Sequence, residues 1–273
     1  MKIEIIPVKT RVVRPPKDEI FDILDSLEVR DGDIVFISSK IVSIHQGRCV
    51  AIEEMRSELE RAEEMGGRSG AEWVRDDERA ERVGGAREVK KQLVRREAER
   101  ELCYKNSRGY ETNLTVTDGN LILGAGIDQS NADGHFILWP EEIDDFCRKI
   151  HTRSKKLTGV KKLGVVVTDS HTSPLRLGVT GFALGFYGLK PLEDKRGDED
   201  IFGRKLHITT VNKIDPLAAL AVSVMGESNE QTPIVIIRGY ENIEFSEGYD
   251  MSNLKIGLED DLYAPLLRVM PKV

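Results

Sequence analysis

Three short runs of consecutive apolar residues constrain this chain more than any other feature: Ile34-Val-Phe-Ile37, Leu163-Gly-Val-Val-Val167 and Ile234-Val-Ile-Ile237. Each is rich in β-branched side chains and is followed at once by polar residues. Runs of this kind read as strands buried in a sheet. None approaches the roughly 18 apolar residues of a membrane span, and no stretch of that length occurs in the 273 residues. Helical spacing appears between the runs. Ile20, Phe21, Ile23, Leu24 and Leu27 form a stripe that predicts a helix over 18–27, after Pro15-Pro16. Pro140 is expected at the first position of a helix reaching about Lys156, and Asp215-Pro216 as the N-cap and first position of a helix that stops at Gly226. Further strands are expected at Ile3 to Val8 and Leu206 to Val211. Leu114 to Thr117 and Asn120 to Leu123 read as a hairpin, because Asp118-Gly119 readily takes the positive φ angles of a type I′ turn. Mixed elements in this order predict an α+β fold of two lobes sharing an interface.

Residues 53–102 differ in character. Of these 50 residues 27 are charged, with both signs mixed, which reads as a solvated helical elaboration broken at Gly66-Gly67 and Gly84-Gly85. No chemistry is assigned to it. Over the whole chain, 47 acidic residues against 40 basic give a net charge of −7, which argues against a general binder of nucleic-acid backbone but not against a local pocket for a nucleotide. Cys49, Cys103 and Cys147 offer neither a disulfide framework nor paired zinc spacing. The opening MKIEIIPVKT has too short an apolar run for a signal peptide. A soluble, cytoplasmic protein is expected.

Three carboxylates stand just beyond apolar elements, beside glycines or small polar residues: Asp128, Asp169 and Glu227. Carboxylates so placed suit Mg²⁺ or Mn²⁺ as hard oxygen ligands, although each also serves as a turn cap. There is no P-loop, and Gly178, Gly181, Gly185 and Gly188 do not form a dinucleotide fingerprint; they read as bend or packing positions. Ser38-Ser39-Lys40, Arg11 and Arg14 offer hydroxyls and cations to phosphate, or are surface groups. His45 and His171 suit a general base. No serine or cysteine lies in a nucleophile elbow, and Trp73 and Trp139 are too few for a base-stacking surface. The residues alone support an α+β protein with a candidate metal site.

Taken together, the motifs resemble the CofE-type γ-glutamyl ligases, which join glutamate to a deazaflavin coenzyme precursor. The resemblance is carried by Pro7-Val8, Asp31-Gly32-Asp33, Ser39-Lys40, Gln46-Gly47-Arg48, Ala125-Gly126-Ile127-Asp128 with Ser130-Asn131, and Thr168-Asp169-Ser170. It continues through Arg176 with Gly178, Gly181-Phe182-Ala183, Gly203-Arg204, Met225-Gly226-Glu227 and Arg238-Gly239. It spans residues 1–273 as one ligase unit apart from the 53–102 segment. It implies a nucleoside triphosphate, GTP or ATP, with Mg²⁺ or Mn²⁺, a two-lobed CofE-like fold and an intertwined homodimer. By position, it assigns one metal to Asp128 and Asp169 and a second to Ser170 and Glu227. Nucleotide contacts fall to Arg11, Val12, Val13, Arg14, Ser39, Lys40 and Asn131, and to the run Ser223, Val224, Met225, Gly226, Glu227, Ser228, Asn229 and Glu230. The implied reaction passes through an acyl phosphate opened by the amine of L-glutamate, with Arg176 on the carboxylate or acyl phosphate, or in a structural ion pair. Such chemistry needs alignment and charge neutralisation more than a protein nucleophile.

Two departures bear on the acceptor. Ile44 stands where these ligases usually carry a nucleotide-contacting lysine, and Ser170-His-Thr-Ser-Pro-Leu-Arg176 replaces the usual Thr-Asn-Gly-Arg. Both are similar to a bacterial branch associated with folate metabolism. The resemblance therefore implies a γ-glutamyl ligase acting on a folate or tetrahydrofolate acceptor, with the deazaflavin coenzyme as alternative. Two rivals from other classes are a two-metal phosphohydrolase on the same carboxylates and a catalytically silent nucleotide-binding protein.

Overall fold

The computed structural model describes residues 2–64, 78–105 and 111–273. In chain order it holds β1 (Glu4–Val8), α1 (Phe21–Asp25), β2 (Asp33–Ser38), α2 (Ser39–Gln46), β3 (Cys49–Ala51), α3 (Ile52–Glu64) and α4 (Glu78–Glu97). The strands β4 (Arg100–Lys105), β5 (Glu111–Thr117), β6 (Asn120–Leu123) and β7 (His135–Ile137) follow, then α5 (Ile143–Thr158). The last part carries β8 (Leu163–Thr172), β9 (Val179–Tyr187), β10 (Leu192–Asp194), β11 (Thr210–Asn212), α6 (Asp215–Met225), β12 (Ile234–Arg238) and α7 (Ala264–Leu267). This is an α+β chain. No helix among the described residues is long and apolar enough to cross a membrane.

The chain divides into two compact units: Met1–Val12, Glu19–Val42 and Glu141–Ile256 form the first, and Val13–Asp18, Ser43–Pro140 and Gly257–Val273 the second. The first is built on a five-stranded sheet of order β1-β12-β2-β8-β9. All pairs are antiparallel except β2 with β8. The three apolar runs are its central strands, buried along their length. Ile34, Phe36, Val166, Val235 and Ile237 meet Leu217, Ala218, Ala221, Val222 and Met225 of α6 in one core. At the sheet's base Arg238 donates twice to Asp33, at 2.8 Å from both Nε and the terminal nitrogen, and the Asp33 carboxylate is wholly buried.

One irregularity in β9 organises both faces. Val167 pairs with Gly185 but Thr168 pairs with Ala183, so Leu184 is an extra residue and the alternation reverses there. Gly181 consequently faces α6, where a Cβ would stand 2.6 Å from the Ala218 carbonyl, while Gly185 faces α5, 2.6 Å from Ile143. Both glycines are packing positions, as the sequence suggests.

The second unit holds an antiparallel sheet of order β4-β5-β6 and the small pair β3-β7. Asp118 (φ 47) and Gly119 (φ 66) form the two-residue turn between β5 and β6, as expected of a type I′ turn. The charged segment is helical over α3 and α4 and enters strand β4 at Arg100. Three of its apolar residues are not solvated: Val89, Leu93 and Val94 of α4 are fully buried against Ala125, Ile127, Phe136 and Leu138. Burying each such side chain contributes about 1.5–3 kcal/mol, enough to anchor a helix that is otherwise polar.

Several expected boundaries move for local reasons. Helix α1 is shorter than 18–27, because the Asp18 carboxylate accepts the Arg14 amide and Ser26 Oγ closes the far end on the Ile23 carbonyl. Pro140 is not the first residue of α5, since Glu142 takes φ 45 and the helix begins at Ile143. Asp215 is the first residue of α6 rather than its cap; Asn212 Oδ1 accepts the amides of Ile214 and Asp215 in that role. Leu206 turns back on Gly197 and Asp198, which leaves only Thr210–Asn212 as strand. Helix α4 runs through Gly84-Gly85 without a break, and Gly66-Gly67 and Trp73 lie outside the described residues.

Candidate active site

The polar end of β8 carries the densest set of candidate side chains. Parallel pairing of β2 with β8 runs to Ser38 opposite Thr168, so the start of α2 and the residues after Val167 emerge at the same edge. Thr168 is buried, and its hydroxyl donates to the Phe182 carbonyl at 2.7 Å, which fixes the strand where its apolar run ends. The next two side chains point to opposite faces because a strand has period two. Asp169 turns to α2, where Ser39 Oγ donates to its Oδ2 at 2.7 Å, and its Oδ1 accepts the Ser170 amide at 2.7 Å. Ser170 turns the other way, its Oγ donating to Glu227 Oε2 at 3.4 Å. Glu227 follows Gly226 (φ 79), which ends α6.

Around this cluster, the 223–230 run is of mixed character. Met225 is buried and Val224 partly buried in the core, and Ser223 Oγ donates back to the Leu220 carbonyl. Ser223 and the continuous run 226–230 are exposed, and in that run Glu230 accepts the Ser228 amide at 2.9 Å. Gln231 accepts the Thr10 amide at 3.0 Å, tying this loop to the segment that leads into Arg11. The Arg11 guanidinium is engaged by Asp22, at 3.0 and 3.1 Å, and by the Glu19 carbonyl, so it fastens its own segment to α1. Asp22 is held below the usual carboxylate range chiefly by that hydrogen bond. Arg176 stands apart at the exposed tip between β8 and β9, next to Leu175 and Leu177, which are 98% and 100% exposed. Its amide donates to the Ser173 carbonyl at 3.3 Å and its guanidinium to the Leu175 carbonyl at 3.5 Å.

In the second unit, Asp128 closes a compact turn. Its Oδ1 accepts the amides of Gln129 (2.6 Å) and Ser130 (2.8 Å), and its Oδ2 accepts Ser130 Oγ (3.0 Å). Gly126 (φ 68), two residues earlier, leaves room for the Trp139 ring, which a Cβ would meet at 2.2 Å. Asn131 follows with φ 51 and is exposed, and Arg14 lies 4.0 Å from Asp133. Val13 is buried, whereas Val12, in the first unit, is exposed. Ile44 is 1% exposed, so its side chain belongs to the interior and not to a cleft wall.

The donor chemistry fits Mg²⁺ or Mn²⁺. In the first unit Asp169, Ser170 and Glu227 present carboxylate and hydroxyl oxygens, and in the second Asp128 presents its carboxylate; neither imidazole nor thiolate is among them. Among the described residues no three acidic, histidine or cysteine side chains gather where they could hold a metal ion.

The chain matches the model of the F420-0:Gamma-glutamyl ligase family over residues 7–239. It is 35% identical over 251 residues to the "Coenzyme F420:L-glutamate ligase" of Methanopyrus kandleri, covering 91% of each chain. Its identity to the ligase of the same name from Archaeoglobus fulgidus is 32%, with 88% of each covered. With that of Methanocaldococcus jannaschii it is 30%, covering 90% of this chain and 91% of the other. An α+β fold with an oxygen-rich polar edge and this kinship define an acid–amino-acid ligase, an enzyme that forms amide bonds. Within that class the chain belongs to the F420-0:gamma-glutamyl ligase family.

Proposed function

We propose that this ligase joins L-glutamate to the terminal carboxylate of a deazaflavin-type acceptor, using GTP or ATP and Mg²⁺ or Mn²⁺. The observation that carries the reading is the run of hydrogen bonds Ser39–Asp169–Ser170–Glu227 at the edge of a sheet that bears neither a P-loop nor a nucleophile. The relatives' names favour the deazaflavin acceptor over folate. Of the two departures that point to folate, Ile44 carries no weight, because a buried side chain cannot reshape the seat of an anionic ligand.

Asp128, Asp169, Ser170 and Glu227 would hold the divalent cations, which neutralise phosphate charge and let two anionic reactants approach. Ser39 fixes the Asp169 carboxylate through Oδ2, and the Ser170 amide fixes it through Oδ1, so its orientation is set before any ligand arrives. Lys40, Arg14, Asn131 and the exposed residues after Gly226 would meet the nucleotide. An acceptor carboxylate oxygen attacks the γ-phosphorus and displaces the nucleoside diphosphate. The glutamate amine then attacks the acyl carbon, expels phosphate and loses a proton.

Arg176 is offered on an arm whose leucines are fully exposed. A monomer gains nothing from such a tip; a homodimer would cover it and carry Arg176 to the second copy. The test of the whole reading is glutamylation by the purified enzyme, supplied with deazaflavin and folate acceptors together and read by product mass. Glutamylated deazaflavin is the expected product. A folate product alone would reverse the acceptor, and nucleotide turnover without either product would favour a phosphohydrolase.

A further inference from the structure

Helix α4 crosses the most charged part of the sequence, and its cations mostly have partners: Arg87 and Lys91 pair with Glu111, and Arg95 with Glu101. Lys90 differs. It follows Val89 and precedes Leu93 and Val94, all buried in the core of the second unit, so its stem is partly buried with them. Its Cε lies 3.7 Å from the point a Cβ on Gly124 would occupy, over the turn Gly124–Gly126 that leads directly to Asp128. Among the described residues it makes no hydrogen bond and no ion pair. Burial pushes its pKa down, and the Asp128 carboxylate acts in the opposite direction. An ammonium held near that turn, with the Asp128 charge acting on it but with no hydrogen bond or ion pair among the described residues, has donors left for an anionic ligand.

We propose that Lys90 is a positioning residue that makes cation binding at Asp128 depend on the nucleotide's phosphates. The proposal rests on the reading of Asp128 as a metal ligand. A divalent cation arriving alone at Asp128 is repelled by the nearby ammonium, and the ammonium already offsets part of the carboxylate's charge. A cation arriving with triphosphate brings oxygens that face the same ammonium, and repulsion becomes attraction. The site thereby takes the metal–nucleotide complex as a unit and resists filling by free metal, which would occupy the carboxylate in an unproductive state.

The test uses the full-length protein and needs no turnover. Mn²⁺ binding is titrated by electron paramagnetic resonance without nucleotide, and binding of Mn²⁺ complexes of non-hydrolysable GTP and ATP analogues by calorimetry. Wild type is compared with Lys90→Met, Lys90→Arg and Asp128→Asn. Lys90→Met is expected to bind Mn²⁺ alone about tenfold tighter and the Mn²⁺–nucleotide complex about tenfold weaker, with Lys90→Arg near wild type in both. Opposite signs cannot come from a packing defect, which would weaken both. Melting temperatures identify a misfolded variant, and Lys90→Gln replaces Lys90→Met in that event. Shifts of the same sign, or none, in a folded variant overturn the role of Lys90. If Asp128→Asn leaves Mn²⁺ binding unchanged, the metal assignment falls and the proposal with it. If Asp128→Asn removes a Mn²⁺ site that Lys90→Met does not alter, the metal reading stands and the proposal alone fails.

Discussion

Ser39 and Asp169, 130 positions apart in sequence, are joined by a 2.7 Å hydrogen bond from hydroxyl to carboxylate. The contact exists because β2 and β8 run parallel to Ser38 and Thr168, which delivers the start of α2 beside the first polar side chains of β8. Asp169→Asn keeps the shape and removes the charge. It is expected to lower kcat by about a thousandfold or more, because a lost anionic ligand removes several kcal/mol at the transferring phosphate. Ser39→Ala removes only an orienting hydrogen bond to a charged group and should cost about ten- to a hundredfold. Steady-state kinetics at saturating Mg²⁺ and Mn²⁺, with melting curves beside them, check both. Asp169→Asn retaining activity would refute the site.

The Arg238–Asp33 pair predicts a stability effect far from that edge. Arg238→Met leaves a fully buried carboxylate with the Arg30 amide as its remaining donor, at 2.7 Å. Removing one partner of a buried pair costs about 3–5 kcal/mol, while replacing both with apolar side chains costs much less. Urea unfolding should therefore show a large loss for Arg238→Met and a partial recovery in Arg238→Met with Asp33→Leu. Equal losses in the single and double variants would contradict the argument.

His151 predicts a pH dependence. It is buried on α5, edge-on to Tyr187 at 5.0 Å, with Glu247 3.8 Å from Nε2 and Lys155 2.6 Å from the same carboxylate. Burial holds its pKa below the ordinary 6.5, and the opposing pull of Glu247 is smaller. The folded state thus binds a proton less readily than the unfolded chain. Stability is unaffected by His151 above pH 6.5 and declines as the pH falls from 6.5 through the lowered folded value. His171, also lowered by burial, adds a decline of the same sign. Melting temperatures of wild type and His151→Gln, taken from pH 8 down to about pH 5, should converge in slope above 6.5 and diverge below it, with wild type the steeper. Parallel curves throughout would count against the burial argument.

What the sequence disclosed and what it hid follow from range. Asp118-Gly119 is legible because a two-residue turn is decided by its own φ angles. The three apolar runs are legible because burial on both faces leaves no polar alternation. Their order in the sheet, with β12 between β1 and β2, depends on pairing across some two hundred residues and leaves no local mark. The extra residue Leu184 is equally silent, yet it decides which helix Gly181 and Gly185 meet. At the site, residue type singled out Asp128, Asp169 and Glu227, but not the partners that orient them. Ile44 was legible as a departure and illegible as a buried one. Lys90 could have been found from one signal only, the apolar spacing Val89, Leu93 and Val94 inside a run of charges, which shows that this stretch of helix has an inner face.

The order of bond changes gives the last prediction. If the acceptor carboxylate attacks the γ-phosphorus, one of its oxygens becomes the bridge of an acyl phosphate. When the glutamate amine opens that intermediate, the bridging oxygen leaves with phosphate and the other stays in the amide. With both carboxylate oxygens labelled by oxygen-18, each amide bond should therefore yield one phosphate carrying one labelled oxygen, together with one nucleoside diphosphate. The protein supplies no nucleophile in this scheme; at the edge of β8 it offers the oriented Asp169 and the Ser170–Glu227 pair, which suit charge neutralisation at phosphate rather than covalent capture of the acceptor. Phosphate released without label would mean that no acceptor oxygen had bridged to phosphorus. An adenylate or guanylate route would instead release pyrophosphate and place the label in the nucleoside monophosphate. Either outcome would overturn the acyl-phosphate step while leaving the ligase family assignment intact, since that rests on kinship over residues 7–239 and not on the isotope's path.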